Sequence, residues 1–227
     1  MTGAQTAAAA RARNTSYAET YRCPGGALCL DFCNSGEGAK NSGGSEWIAS
    51  YADLIDWLEG AKGISARQAA QLRNAGAASP RAAARVWQRA LLLRETLFRV
   101  FNATAAGDAV PAADLASIQT EYARALSFAR LARTQTGYAW SLEPSPTAPE
   151  AALQPIIESA LRLLMSDALA QLRRCGNSTC YWLFIDETRN RSRRWCEMAS
   201  CGNLVKVRRH RKKVRSAVSR HKPLRAA

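Results

Sequence analysis

The chain has no run of apolar residues that approaches the roughly 20 needed to cross a bilayer, although 47% of its 227 residues are hydrophobic. Its first residues (MTGAQTAAAARARNTS) also lack the apolar core of roughly 7–15 residues that a secretory signal peptide needs. These absences argue against a membrane or secreted protein. We therefore expect a cytoplasmic protein in which residues 1–16 form a disordered leader.

Histidine is scarce, and this limits the catalytic chemistry open to the chain. Its two histidines, His210 and His221, both lie in the C-terminal basic segment. A cysteine nucleophile needs a neighbouring base, and neither histidine lies near the N-terminal cysteines in the sequence. The N-terminal part also lacks a glycine-rich phosphate loop. We therefore expect that the protein is not an enzyme.

Acidic residues are few in the last quarter of the chain. Residues 173–227 contain 16 Lys and Arg but only 3 Asp and Glu, so this segment supplies 13 of the net charge of +14. Such asymmetry predicts a basic module attached to a nearly neutral domain. Basic modules bind nucleic acid, acidic membranes or acidic proteins, and a solubilising tail is the alternative.

Apolar periodicity predicts a mostly helical N-terminal part. Helical spacing recurs near 47–58, 80–105 and 115–126, and Ser65 with Gln68 has the form of a capping box, in a helix that Gly76 would end. The segment ALCLDF is compatible with a strand or the entry to a helix. FARLARTQTGYAWSLE alternates and predicts a β-hairpin. Residues 151–174 predict a helix that runs almost into Cys175.

Four cysteines form two pairs with equal spacing: Cys175 and Cys180, then Cys196 and Cys201. Two short pairs separated by a mid-length spacer favour a closed tetrahedral zinc site, whose role is structural because four thiolates leave no open position. Buried free thiols and a redox or iron–sulfur role are the alternatives. The 15-residue spacer suits a β-hairpin with a turn near 188–190, and a glycine follows the first and last cysteines, where a tight turn would need freedom from a Cβ.

Three further cysteines, Cys23, Cys29 and Cys33, lack an obvious fourth partner, and we expect them to be inert. Trp182 and Trp195 flank the spacer, and we expect both to pack in the core of the small domain. Their alternative role is to stack on bases.

The segment after the fourth cysteine predicts a cationic helix suited to phosphate backbones. The turn of the spacer adds further arginines. The candidate nucleic-acid-binding residues are therefore Arg189, Arg191, Arg193, Arg194, Lys206, Arg208, Arg209, Arg211, Lys212, Lys213 and Arg215.

The segment at roughly 174–215 resembles the CGNR zinc finger. The resemblance rests on the four cysteines, on Phe184 with Asp186, on the Arg-x-Trp-Cys ending at Cys196, and on Cys-Gly-Asn at 201–203 with a following lysine. The family's arginine after this asparagine is Leu204 here. If that arginine contacts nucleic acid, the contact is missing, whereas leucine can substitute if the position packs on the hairpin.

The upstream part resembles the ABATE domain through GGALCLDFCNS, YADLIDWLEGAKGIS and LLLRETLFRVFNATAAGDAVPAADLASI. Together the two resemblances imply an α+β, mostly helical chain and a proposed role in stress-related transcription regulation. The implied order is an ABATE-like domain, a long helix and a C-terminal treble-clef finger with one structural zinc. We divide the chain into a leader (1–16), an ABATE-like domain (17–150), a connecting helix (151–174), the finger with its basic helix (175–218) and a basic tail (219–227).

The leading functional hypothesis is a transcription regulator that binds nucleic acid, with double-stranded DNA preferred. The N-terminal domain would sense a small-molecule effector or mediate oligomerisation, for example as a homodimer. Asp31 and Asn34 could line a ligand pocket, or Asn34 or Ser35 could instead cap a helix. An RNA-binding or ribosome-associated protein and a zinc-stabilised protein-interaction module are the alternatives.

Overall fold

The computed structural model describes residues 23–35, 46, 48–142 and 148–220. The expected leader at 1–16, Trp47 and residues 221–227 of the basic tail lie outside these ranges. The described residues form seven α-helices and two small antiparallel sheets, which confirms the α+β, mostly helical class. None of the helices in these ranges is both long and apolar enough to cross a membrane.

Six helices make up the N-terminal part, and the local sequence explains their ends. Ser50 caps one helix by accepting a hydrogen bond from the backbone N–H of Asp53, and Ser65 with Gln68 forms the predicted capping box. Gly107 ends the longest helix at φ 77°, a left-handed conformation that glycine adopts without strain. The helices are α1 (Leu28–Asn34), α2 (Tyr51–Gly60), α3 (Ala66–Ala78), α4 (Pro80–Ala106), α5 (Ala112–Leu126) and α6 (Gln154–Leu164).

Two local predictions are resolved by these helices. The segment ALCLDF, which left strand and helix open, contributes its last five residues to α1. The prediction that Gly76 ends its helix is wrong, because α3 continues to Ala78. A Cβ on Gly76 would lie 2.6 Å from the Tyr51 ring, so glycine is needed there for the close approach of α2 to α3.

Helix α4 is the centre of the apolar core. Its 27 residues make a rod of about 40 Å, and α1, α2, α3 and α5 all pack on it. The same core includes Leu172, Leu183 and Ile185 from the C-terminal part. The finger therefore shares the hydrophobic core of the N-terminal part instead of hanging from a linker.

The hairpin predicted at 128–143 is confirmed over its described residues, which end at 142. Strand β1 (Ala129–Thr134) pairs antiparallel with β2 (Gly137–Leu142), and Thr134 faces Gly137 across a two-residue turn. A buried 3₁₀ helix at Pro149–Leu153 then leads into α6.

The connecting helix predicted over 151–174 is wrong in its second half. Helix α6 ends at Leu164, a 3₁₀ helix follows at Asp167–Gln171, and strand β3 occupies Leu172–Arg174. The cause is a strand partner: Leu172 pairs with Ile185 of strand β4 (Leu183–Ile185), and both side chains are buried. An apolar spacing that fits a helix cannot reveal this pairing.

The spacer between the cysteine pairs does not form the predicted hairpin. Its only strand among the described residues, β4, pairs with β3 on one edge. On the other edge, the backbone N–H of Ile185 donates to the Gly25 carbonyl at 2.9 Å, and the Asn34 amide binds the backbone of Leu183. Both edges of β4 are therefore occupied, and a return strand has no place to pair.

The last described elements are a π-helical turn at Met198–Gly202 and helix α7 (Asn203–Arg220). A knuckle between β3 and β4 is followed by a loop and by a helix that starts after the last cysteine. This order confirms the predicted treble-clef arrangement.

Candidate metal centre and basic surface

The four predicted cysteines converge on one point. All four Sγ atoms lie within 4.8 Å of one another, and the distances are 3.8 Å between Cys180 and Cys196 and 3.6 Å between Cys196 and Cys201. A tetrahedral zinc ion with Zn–S bonds of about 2.3 Å separates its sulfurs by about 3.8 Å. The spacing of the sulfurs therefore fits one zinc ion without rearrangement.

The pKa values of the cysteine thiols also favour a bound cation. Hydrogen bonds from Cys180, and then from Cys196, lower the pKa of Cys175 to about 2, because its thiolate accepts both. The hydrogen bond to Cys175 in turn raises the pKa of Cys180 to about 12, and the pKa of Cys196 is also raised. Among these three cysteines the protein alone favours one thiolate, so further thiolate ligands require a divalent cation between them. The site is a single structural zinc site, with Cys175, Cys180, Cys196 and Cys201 as its ligands.

Backbone groups orient the first cysteine pair. The backbone N–H groups of Asn177 and Trp182 donate to the sulfurs of Cys175 and Cys180, respectively. Each donor lies two residues after its cysteine, which is the geometry of a tight knuckle. These hydrogen bonds stabilise negative charge on the sulfurs.

Asn177 joins the two cysteine pairs, and the sequence reasoning did not single it out. Its side chain is buried, its Nδ2 donates to the Sγ of Cys201 at 3.5 Å, and its Oδ1 accepts from Thr179 and from Arg208 of α7. The available signal was the repeated Cys-Gly-Asn at 175–177 and 201–203. Asn203, by contrast, donates to the Ala199 carbonyl and only closes the turn before α7.

The two glycines of this repeat both pack closely against Trp195. A Cβ on Gly176 would lie 3.0 Å from its ring, and a Cβ on Gly202 would lie 2.9 Å from it. Neither glycine has positive φ, so the expected freedom from a Cβ is needed for close packing and not for a left-handed turn. The ring packs beside both knuckles, and Trp182 is buried in the small cluster around the cysteines, as expected for core side chains.

The comparisons with known protein families identify both parts of the chain. The model of the ABATE domain, described as "Putative stress-induced transcription regulator", matches residues 26–167, and the model of the CGNR zinc finger matches residues 171–214. The chain belongs to the ABATE family. No curated protein matches the sequence.

The ABATE domain holds the CGNR finger through Asn34. The Asn34 side chain is only 1% exposed, its Nδ2 donates to the Leu183 carbonyl at 2.9 Å, and its Oδ1 accepts from the Leu183 N–H at 2.9 Å. The amide thus pairs with β4 as a neighbouring strand would. This is a different role from the ligand pocket suggested by the sequence. Ser35 caps the C-terminal end of α1 through its hydroxyl, which donates to the Phe32 carbonyl.

Asp31 has a local partner in the same region. Its buried carboxylate accepts from the backbone N–H of Gly25 at 2.9 Å, in the turn whose carbonyl binds Ile185. Burial raises the pKa of Asp31 to about 6. Burial also raises the pKa of Cys29 to about 12 and that of Cys33 well above its ordinary value, which agrees with the expectation that these thiols are inert.

Arg193 connects the ABATE domain, the loop and the metal site. Its guanidinium donates to the carbonyls of Pro24, Ile185, Trp195 and Cys196, and it lies 4.3 Å from the centroid of the Phe184 ring. A guanidinium that satisfies four backbone carbonyls is not free to bind phosphate. We therefore remove Arg193 from the predicted nucleic-acid contacts and assign it to the scaffold.

Asp186 shapes the loop that carries the other arginines. Its fully buried carboxylate accepts from the Thr188 N–H at 3.0 Å, the Thr188 hydroxyl at 2.5 Å and the Arg193 N–H at 2.9 Å. The Thr188 hydroxyl is the largest of the causes that lower the pKa of Asp186. This network presents Arg189 and Arg191 at the exposed tip of the loop.

The remaining predicted cations whose side chains the structure describes lie at the surface of the finger. Arg194 is exposed beside Trp195, and Arg208 reaches back to Asn177 and Thr179. The structure does not describe the side chains of Lys213 and Arg215. The other exposed cations of α7 are Lys206, Arg209, Arg211 and Lys212.

Proposed function

We propose that this protein is a regulator that binds double-stranded DNA through α7 and the loop at 187–192 of its CGNR finger, and that it is not an enzyme. The observation that carries the proposal is the concentration of exposed cations on a rigid, zinc-bound unit. Of the three acidic residues after residue 172, Asp186 is fully buried within the loop and does not offset this charge.

The rigid attachment of the finger supports a specific role over a general affinity for anions. Hydrogen bonds from Asn34 and Arg193 and the shared core fix β4 and the loop of the finger relative to the ABATE domain. Helix α7 joins this unit through the preceding π-helical turn and through the hydrogen bonds of Arg208 to Asn177 and Thr179. A fixed cationic surface can match the regular spacing of phosphates along a duplex, whereas a flexible tail cannot. The family description, a regulator of transcription, is consistent with this role.

The test is a salt titration of the zinc-loaded, full-length chain against fluorescent duplex DNA. Six phosphate contacts would weaken binding by about 1,000-fold between 50 and 200 mM salt. Lack of binding to any nucleic acid at about 50 mM salt would refute the proposal. Competition with an RNA duplex of the same sequence separates DNA recognition from the RNA-binding alternative.

A charge-matched pair of variants locates the surface. The double substitution Arg189→Ala with Arg191→Ala removes two exposed cations from the loop, and Arg81→Ala with Arg85→Ala removes two exposed cations from α4. We expect the loop variant to reduce the salt slope by about 2. Equal effects of the two variants would place the DNA elsewhere.

A further inference from the structure

Helix α7 has an apolar stripe that the described residues of the chain leave uncovered. Leu204, Val207 and Val214 are 43%, 47% and 48% exposed. They recur at spacings of three and seven residues, and Arg211 falls among them. At 100° per residue these four positions lie within an arc of about 80°, so they form one face of the helix.

The finger contacts a different side of α7. Arg208 donates to Asn177 and Thr179 of the first knuckle, and Val205 is half-buried. The exposed stripe is bordered by Lys206 and His210 on one side and by Arg208 on the other. The surface of α7 therefore has an apolar centre with polar and cationic borders.

The charge of these borders indicates what can cover the stripe. A second copy of α7 would bring like charges together, since the described part of α7 contains no acidic residue. The partner must combine negative charge at two walls with an apolar group between them. The major groove of duplex DNA has this arrangement: phosphates line both walls, thymine presents a C5-methyl group on the floor, and its width of about 12 Å admits a helix.

We propose that α7 lies in the major groove with Leu204, Val207 and Val214 against thymine methyl groups. This inference rests on the proposed function and narrows it to duplexes with thymine at the positions below the stripe. Arg211, within the stripe, faces the same floor, where guanine offers two acceptors to an arginine. Leucine at position 204, in place of the family's arginine, then contributes to recognition.

The experiment removes the methyl groups and leaves the protein unchanged. Zinc-loaded, full-length protein first selects its preferred duplex from a random library. The same duplex is then prepared with deoxyuridine in place of thymidine, which deletes only the C5-methyl groups. Each buried methyl contact corresponds to about a fourfold change in Kd, so two contacts predict that the uracil duplex binds about 16-fold more weakly.

Variants test whether α7 contacts the thymine methyl groups. Leu204→Ala combined with Val207→Ala should bind the thymine duplex about 16-fold more weakly. The remaining Val214 contact should leave a discrimination against the uracil duplex of no more than about fourfold. Leu92→Ala, which changes an exposed leucine on α4, is the control and should retain the full discrimination. Because the substituted side chains are exposed, thermal unfolding of all variants should match that of the parent protein.

The outcomes separate this inference from the proposed function. Equal affinity for the thymine and uracil duplexes overturns the inference, while binding to both keeps the proposed function. Lack of binding to any duplex at about 50 mM salt overturns both. A self-association or an affinity for an acidic protein that is lost in the double variant, with DNA discrimination intact, would also overturn the inference.

Discussion

Replacing Asn34 by alanine is the most direct test of how the finger is held. The amide makes two hydrogen bonds of 2.9 Å to the backbone of Leu183, at a position that is 1% exposed. Alanine leaves the Leu183 N–H and C=O buried without these partners. Each unsatisfied group costs about 1–3 kcal/mol, and the better helix propensity of alanine returns only about 0.5 kcal/mol.

We therefore expect Asn34→Ala to lower the free energy of unfolding by about 3 kcal/mol. This is a large fraction of the roughly 5–15 kcal/mol that stabilises a typical domain. The assay is urea denaturation at saturating zinc, followed by far-UV circular dichroism for the helices and by a chromophoric chelator for zinc release. Both signals should move to lower urea together, because the ABATE domain and the finger share one core.

A matched control is Asn74→Ala, which changes an exposed asparagine on α3 and should alter the free energy of unfolding by less than about 0.5 kcal/mol. Two results would refute the reasoning. One is an effect of Asn34→Ala no larger than that of the control. The other is a shift in zinc release with an unchanged helical transition, which would show that the finger unfolds on its own.

Three further predictions concern the scaffold, the buried acid and the metal. Arg193→Ala should destabilise the protein by about 3 kcal/mol, since four carbonyls lose a charged donor, whereas Arg191→Ala should leave the urea midpoint unchanged and weaken only DNA binding. Asp31→Asn should stabilise the protein at pH 7, because a carboxyl whose pKa rises from 3.8 to about 6 binds its proton more tightly in the folded state and destabilises the fold by up to about 3 kcal/mol once ionised. This difference in the free energy of unfolding should shrink as pH falls from about 6 to 4, and a difference that is independent of pH would contradict the prediction. Because zinc is released from variant and parent alike at low pH, its loss does not affect the difference between them. Zinc removal by a chelator should abolish DNA binding and also lower the melting temperature of the helical part, as calorimetry would detect.

The metal site and the hairpin were accessible from the sequence because both depend on local spacing. The two cysteine pairs needed only their intervals, and β1 with β2 needed only alternation around a turn. The capping box at Ser65 belongs to the same class. In each case the partners lie close together in the chain, so the pattern contains the whole interaction.

The errors fall where a distant partner decides the structure. Leu172 joins a strand because Ile185 pairs with it, and the spacer forms no hairpin because Asn34, 149 residues before Leu183, occupies the free edge of β4. Arg193 lies in a basic segment and is therefore predicted to bind phosphate. Its structural role depends on backbone carbonyls elsewhere in the chain, including that of Pro24. No periodicity within a single segment contains this information.

The occupied edge of β4 has a consequence for transplanting this finger into another protein. A finger cut out at residue 171 would carry Leu183 and Ile185 as a bare apolar strand, without the Asn34 amide and the Gly25 carbonyl that complete it. Such a fragment would be prone to pair with itself through that edge. A functional graft must therefore bring along the segment from Pro24 to Asn34, which lies about 150 residues earlier in the chain.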